Sequence, residues 1–170
     1  DWGGPISLGW VENEIRSGEH HIAGVVLLNT AVHQPKEFNN PAIIRLARAR
    51  GLLAPITEYS QGFVLATRIL SGKKMSREVA AGFRAPYRKR VSRKAIHGFV
   101  SDIPFEEDHV SRAPLDHSAE GLSLLCNTPV LMCWGTNDPV FSDLYLRDLK
   151  GRLPHAVVHR YGGASHLVSE

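Results

Sequence analysis

The sequence predicts an α/β fold: three parallel strands with their helices, interrupted by an inserted block of helices. Three observations predict it. Short apolar runs rich in β-branched residues recur at residues 23–29, 129–134 and 156–161, as in parallel strands that helices cover. Segments of helical spacing adjoin each run, the alternation expected of a parallel sheet. Between the first and second runs, residues 31–115 show helical signals and no convincing strand. The resulting division is sheet and helix over 1–30, a helical cap over 31–115, and the rest of the sheet over 116–170.

Taken in order, Asp1-Trp2-Gly3-Gly4 opens the chain and Pro5 begins a segment of helical spacing that continues to about Arg16. Pro5 suits a first helical turn and Gly18 suits the end of the helix. Ile6, Leu8, Gly9, Trp10, Val11 and Ile15 are expected on its buried side. His20 and His21 fall in a polar loop before the first strand, Ala23 to Asn29. Within the cap, helices are expected over Pro41 to Arg50, Ile56 to Leu70, Ser76 to Phe83, and after Pro86. Apolar residues such as Phe63, Val64, Leu65, Ile69 and Leu70 are expected to pack there or to face an apolar pocket. After the cap come a helix over His117 to Cys126, a buried strand over Pro129 to Trp134, and a helix over Ser142 to Leu153. Ser142 suits its N-cap and Asp143 its first turn. The last strand, Ala156 to Tyr161, is more polar, as at a sheet edge.

Composition narrows the function. The 170 residues are 43% hydrophobic and 22% charged, with a formal net charge of +3, so bulk charge makes no case for nucleic acid. No apolar stretch approaches the roughly 20 residues that a membrane span needs. Two cysteines, Cys126 and Cys133, make no disulfide scaffold, and Cys133 reads as a small buried hydrophobe suited to a reducing, cytoplasmic setting. Arg84, Arg88, Lys89, Arg90, Arg93 and Lys94 form a basic cluster, read as a solvated helix face, with a docking patch for an acidic partner as the alternative. Glu106-Glu107-Asp108-His109 has the composition of a metal site, but consecutive residues do not converge on one ion, and an exposed loop is expected. Neither a metal nor a cofactor is implied.

The chemistry is carried by three positions. Ligands of α/β sheets bind beyond the carboxyl ends of the strands. Asp138 and His166 each follow a strand, and 28 positions separate them, room for one helix and one strand. Asp1, ahead of two glycines and a helix, sits as the reactive residue of a strand-to-helix nucleophile elbow would, although the same tetrapeptide suits an ordinary turn or N-cap. The order nucleophile, acid, histidine is that of the α/β-hydrolases. An aspartate nucleophile is ionised at neutral pH and attacks carbon without a base, forming an ester. His166 then activates water, with Asp138 orienting the ring, and Trp2 offers backbone and indole N–H groups to an anion. A structural histidine and a packing indole are the plainer alternatives. An elbow also needs a strand before it, so the chain is expected to be the C-terminal part of a longer polypeptide and to depend on the preceding segment of its fold.

Asp1-Trp2-Gly3-Gly4-Pro5-Ile6 resembles the elbow of the haloalkane dehalogenase-like α/β-hydrolases. The resemblance implies Asp1 as nucleophile, Asp138 as acid, His166 as base and Trp2 as leaving-group donor. Some members place the acid after the strand that precedes the cap; Asn29 stands there, which favours Asp138. Arg84-Ala85-Pro86-Tyr87 resembles a cap motif of that family. Asp138 to Asp143, Leu153-Pro154-His155 and Gly163 to Val168 are most similar to one branch, the β-lactone decarboxylases of bacterial long-chain olefin biosynthesis. That branch implies conversion of a cis-3,4-dialkyl-oxetan-2-one to a cis-alkene and CO₂. It also implies an apolar small-molecule substrate and other enzymes of olefin biosynthesis as partners. Haloalkane dehalogenase is the alternative. Epoxide hydrolase, with Tyr59 or Tyr87 as acid, and a non-catalytic interaction module are further ones.

Overall fold

The computed structural model describes residues 2–19, 21–35, 38, 45, 53 and 55–169. Asp1, His20 and the helix expected over Pro41 to Arg50 lie outside the described residues, apart from the single position 45. Helix α1 (Gly3–Ser17) starts directly after Trp2, whose carbonyl accepts from the Ile6 amide at 3.1 Å. It ends at Gly18 (φ 71°), whose amide closes on Glu14. That left-handed cap is the one Gly18 predicts. Its buried stripe is Leu8 and Val11, with Ile15 partly buried against the same core. Ile6 and Trp10, expected on that side, are exposed instead because they fall off the stripe's 3.6-residue period.

Strand β1 (Val25–Leu28) leads through the cap to helices α2 (Gly62–Leu70), α3 (Arg77–Arg84), α4 (Arg90–Ser101) and α5 (Arg112–Gly121). Strand β2 (Val130–Gly135), helix α6 (Asp143–Arg152) and strand β3 (Val157–Tyr161) follow. Ile56 to Leu70 is therefore not one helix: a π-turn over Pro55–Tyr59 precedes α2, and Gly62 opens it. Ser76 caps α3 through its hydroxyl, which accepts from the Val79 amide at 3.2 Å. Ser142 holds the N-cap position of α6, but its side chain makes no capping bond. Helix α5 begins five residues ahead of the expected His117, and a 3₁₀ turn (Leu122–Leu125) completes the segment.

The strands form one parallel sheet in the order β1-β2-β3, with Leu27 opposite Met132 and Met132 opposite Val158. On the face that carries Leu27, Met132 and Trp134, these side chains pack with α1, α5 and α6 into the core. The other face is open: Val26, Leu28, Val157 and Tyr161 are exposed. β1 is thus not covered on both sides as its apolar run predicts, since helices of the described residues pack on one face only. β3 is exposed at the sheet edge, as its polar sequence predicts. No helix of the described residues is long and apolar enough to cross a membrane.

The basic cluster of the cap divides in two. Arg93 is buried and donates to the carbonyls of Glu58, Tyr87 and Arg88, each at 2.9 Å, so it is a structural staple and not part of a solvated face. Arg90 pairs with Glu58 and lies over the Tyr59 ring, 4.0 Å from its centroid. Arg84, Arg88, Lys89 and Lys94 are exposed. Glu106, Glu107 and Asp108 are exposed in a turn, and no metal-holding cluster occurs among the described residues.

Candidate active site

Asp138 and His166 meet because β2 and β3 are neighbours. Their following loops are stitched together: Thr136 N to Tyr161 O at 3.3 Å, Asn137 N to Ala164 O at 3.0 Å, and Ser165 Oγ to Asn137 O at 3.1 Å. Gly135 makes the approach possible, since a Cβ there would lie 2.3 Å from the Ser165 carbonyl oxygen. The His166 Nδ1 lies 2.9 Å from Asp138 Oδ2, and the carboxylate side chain is 0% exposed. A carboxylate only accepts, so Nδ1 carries the proton and Nε2 is the ring's basic atom. Phe141 stacks on the imidazole with centroids 5.6 Å apart, and packs edge-on against Tyr145 at 5.2 Å.

The acid is held from two further directions. Val140 N donates to Oδ1 at 2.6 Å, and Asn29 Nδ2 donates to Oδ2 at 2.8 Å. Asn29 is itself locked: Nδ2 also donates to Gly135 O at 3.1 Å, and Oδ1 accepts from Gly135 N at 2.6 Å. It is buried and takes φ 27°, a backbone region that asparagine tolerates better than most residues. Burial alone would raise the Asp138 pKa. The hydrogen bond and charge of His166, the Val140 amide and the Asn29 amide outweigh burial and hold the carboxyl below its ordinary value. The sequence shows Asn29 as a position where an acid is absent; its role as the acid's anchor appears only once β1 and β2 are paired. Phe141 and Arg93 were likewise missed, since neither an aromatic nor an arginine among arginines signals a contact so distant in the chain.

Asp1, the expected nucleophile, lies outside the described residues. Of the two glycines that follow, Gly4 is close-packed, since a Cβ there would lie 2.0 Å from Thr30 Oγ1 at the end of β1, whereas a Cβ on Gly3 would meet nothing within 4 Å. Trp2 donates its indole N–H to the Phe99 carbonyl on α4 at 2.8 Å, tying the start of α1 to α4. Trp2, Val64, Phe83, Phe99, Phe141 and His166 are among the residues lining a cavity of about 620 Å³. Phe63, Val64 and Leu70 face it, whereas Leu65 and Ile69 point outward. Tyr87 lines the cavity; Tyr59 does not, being exposed beneath Arg90.

The fold agrees with what the sequence matches. Residues 1–170 match the family described as alpha/beta hydrolase fold. The chain belongs to that family. Among curated proteins, this α/β-hydrolase is 27% identical over its whole length to a protein of Shewanella oneidensis named cis-3-alkyl-4-alkyloxetan-2-one decarboxylase. It is 28% identical to one of the same name from Xanthomonas campestris. It spans 53% and 56% of these two proteins, about half the length of the curated relatives it matches. Among solved structures, 99% of the α/β-hydrolase superimposes on 58% of a haloalkane dehalogenase from Agrobacterium tumefaciens, with TM-score 0.81 and 17% identity. An alpha/beta hydrolase fold protein from Burkholderia ambifaria matches all of it, with TM-score 0.71 and 18% identity. At such identities the structural likeness establishes the fold alone.

Proposed function

We propose that the protein carrying this sequence is a cis-β-lactone decarboxylase, converting a 3,4-dialkyl-oxetan-2-one to a cis-alkene and CO₂. One observation carries the reading: a bonded Asp138–His166 pair opens on an apolar cavity of about 620 Å³, in a chain whose whole length matches about half of each of two proteins of that name. The net reaction breaks the C4–O and C2–C3 bonds, forms the C3=C4 double bond and releases C2 with both oxygens as CO₂. It consumes neither water nor an oxidant. Asp1 opens the ring at C4, forming an Asp1–C4 ester and leaving a carboxylate on C3; loss of CO₂ then breaks C2–C3, forms C3=C4 and returns the C4–O electron pair to Asp1. His166, oriented by Asp138, assists the departure of the Asp1 carboxylate from C4. Trp2 stabilises developing negative charge once the substrate competes with the Phe99 carbonyl for its N–H. The cavity's aromatic and aliphatic walls suit two alkyl chains. The enzyme acts in the cytoplasm beside the other enzymes of olefin biosynthesis that supply its lactone.

The presence of Trp2 in the cavity wall also favours a second reading, haloalkane dehalogenation, in which His166 activates water against an alkyl ester of Asp1. Product analysis of one full-length preparation separates the two. A cis-β-lactone with two long alkyl chains should give cis-alkene and CO₂, with 1-bromoalkanes turned over slowly or not at all. Rapid bromide release without alkene from the lactone would transfer the assignment to haloalkane dehalogenase.

A further inference from the structure

The chain's modest net charge conceals a strong division. Residues 59–101 hold ten lysines and arginines against one acid, Glu78, whereas the whole chain holds 20 against 17, so everything outside this stretch is net acidic. Within it, Arg68, Leu65, Ile69, Lys73, Lys74 and Met75 line a surface groove of about 340 Å³ at the end of α2. Arg68, Lys73 and Lys74 are exposed and make no ion pair among the described residues. Ile69 protrudes between them at 80% exposure. An aliphatic side chain set among unpaired cations is the pattern of a segment that sits at a lipid interface, where anionic headgroups meet acyl chains.

The turn that carries these residues is built, not loose. Buried Ser71 donates to both Arg68 O at 2.8 Å and Lys73 O at 2.6 Å. Gly72 has φ 71°, and a Cβ there would lie 2.7 Å from Ser165 Cβ. Leu167 N donates to Leu70 O at 3.4 Å. The groove therefore adjoins the loop of His166, while Phe63, Val64 and Leu70 of the same helix α2 face the catalytic cavity. One helix has its inner side on the cavity and its outer side on the cationic groove.

We infer that the turn between α2 and α3 docks the protein on an anionic phospholipid bilayer, with Arg68, Lys73 and Lys74 on headgroup phosphates and Ile69 in the acyl boundary. Docking there sets the cavity wall against the phase in which a long-chain apolar substrate dissolves. That consequence rests on the lactone reading; the docking itself does not.

The test is co-sedimentation of the full-length protein with phosphatidylcholine vesicles, with and without phosphatidylglycerol. Binding is expected to the phosphatidylglycerol vesicles only, to weaken with added salt, and to be unmoved by millimolar inorganic phosphate. The triple variant Arg68→Glu/Lys73→Glu/Lys74→Glu should bind at least about tenfold more weakly. Its turnover of a short-chain, water-dispersed lactone should be unchanged. If the triple variant fails to fold, the Ile69→Asp variant and the triple Gln variant at the same cations decide, both with weakened vesicle binding expected. No binding to phosphatidylglycerol vesicles, binding that survives these substitutions, competition by free phosphate, or capture by polyglutamate without vesicle binding would each overturn the inference. Vesicle binding without alkene formation would overturn the lactone reading and leave docking intact.

Discussion

Replacing Asn29 by alanine tests whether the end of β1 holds the acid in place. The substitution removes the Nδ2 bonds to Asp138 and Gly135 O, and leaves the Gly135 amide with no acceptor from that side chain. A buried unsatisfied N–H costs about 1–3 kcal/mol and a hydrogen bond to a charged group contributes about 1.5–3. A total loss of about 2.5–6 kcal/mol is expected from the two together. Urea unfolding of the wild type, Asn29→Ala, Asp138→Ala and the double variant isolates the pair. The coupling energy should be about 1.5–3 kcal/mol. The pH dependence gives a second readout. Asp138 is held below the ordinary 3.8, so its contribution is present above that value and lost as pH falls through its lower folded value. Without the Asn29 amide the folded value rises toward 3.8, so the acid-side loss of stability becomes smaller and is complete at higher pH. A coupling energy below about 0.5 kcal/mol, with an unmoved acid limb, would refute the anchoring role.

Three further outcomes follow from the geometry. Gly135→Ala should push a Cβ into the Ser165 carbonyl and displace the loop of His166, costing about 1–3 kcal/mol and more activity than stability, as unfolding and turnover measured together will show. His33, just after β1, has Nδ1 3.0 Å from Asp116 and Nε2 3.5 Å from Asp148, with Arg152 at 2.9 Å. The Asp148 bond leads in raising its pKa above 6.5, with Asp116 adding, against burial and Arg152. That stability is full below 6.5 and lost as pH rises through the folded value, so His33→Gln should flatten the Tm profile on the alkaline side. Arg93→Met should loosen the cap by about 2–4 kcal/mol, because three carbonyls lose a charged donor, and hydrogen exchange should speed up at Tyr87–Arg90 before it does in β2.

The elements that the sequence declares clearly are those whose partners are near in the chain. Gly18 and Ser76 announce their caps locally, and the short β-branched apolar runs at β1 and β2 announce strands. The pairing of Asp138 with His166 is also legible, since both follow neighbouring strands and the intervening helix sets them side by side. Which residues lie on the sheet's open face is not legible: Val26 and Leu28 look no different in sequence from Leu27, which is buried. Nor does the sequence distinguish Arg93 from the arginines around it. Its burial depends on carbonyls of the π-turn over Pro55–Tyr59 and of residues 87–88, which come together only when α4 folds against that turn. Trp2 shows a donor in sequence, but the acceptor it meets, Phe99 O, is 97 residues away.

Intact-mass spectrometry of the full-length protein with a cis-β-lactone tests the proposed chemistry most directly. Ring opening by Asp1 adds the whole lactone mass to the enzyme with no atom lost. The His166→Ala variant should accumulate that adduct, because attack proceeds while turnover stops, and Asp1→Ala should show only unmodified mass. An adduct of equal yield in both variants, or in neither, would contradict the assignment of Asp1 as nucleophile and His166 as the group that completes turnover.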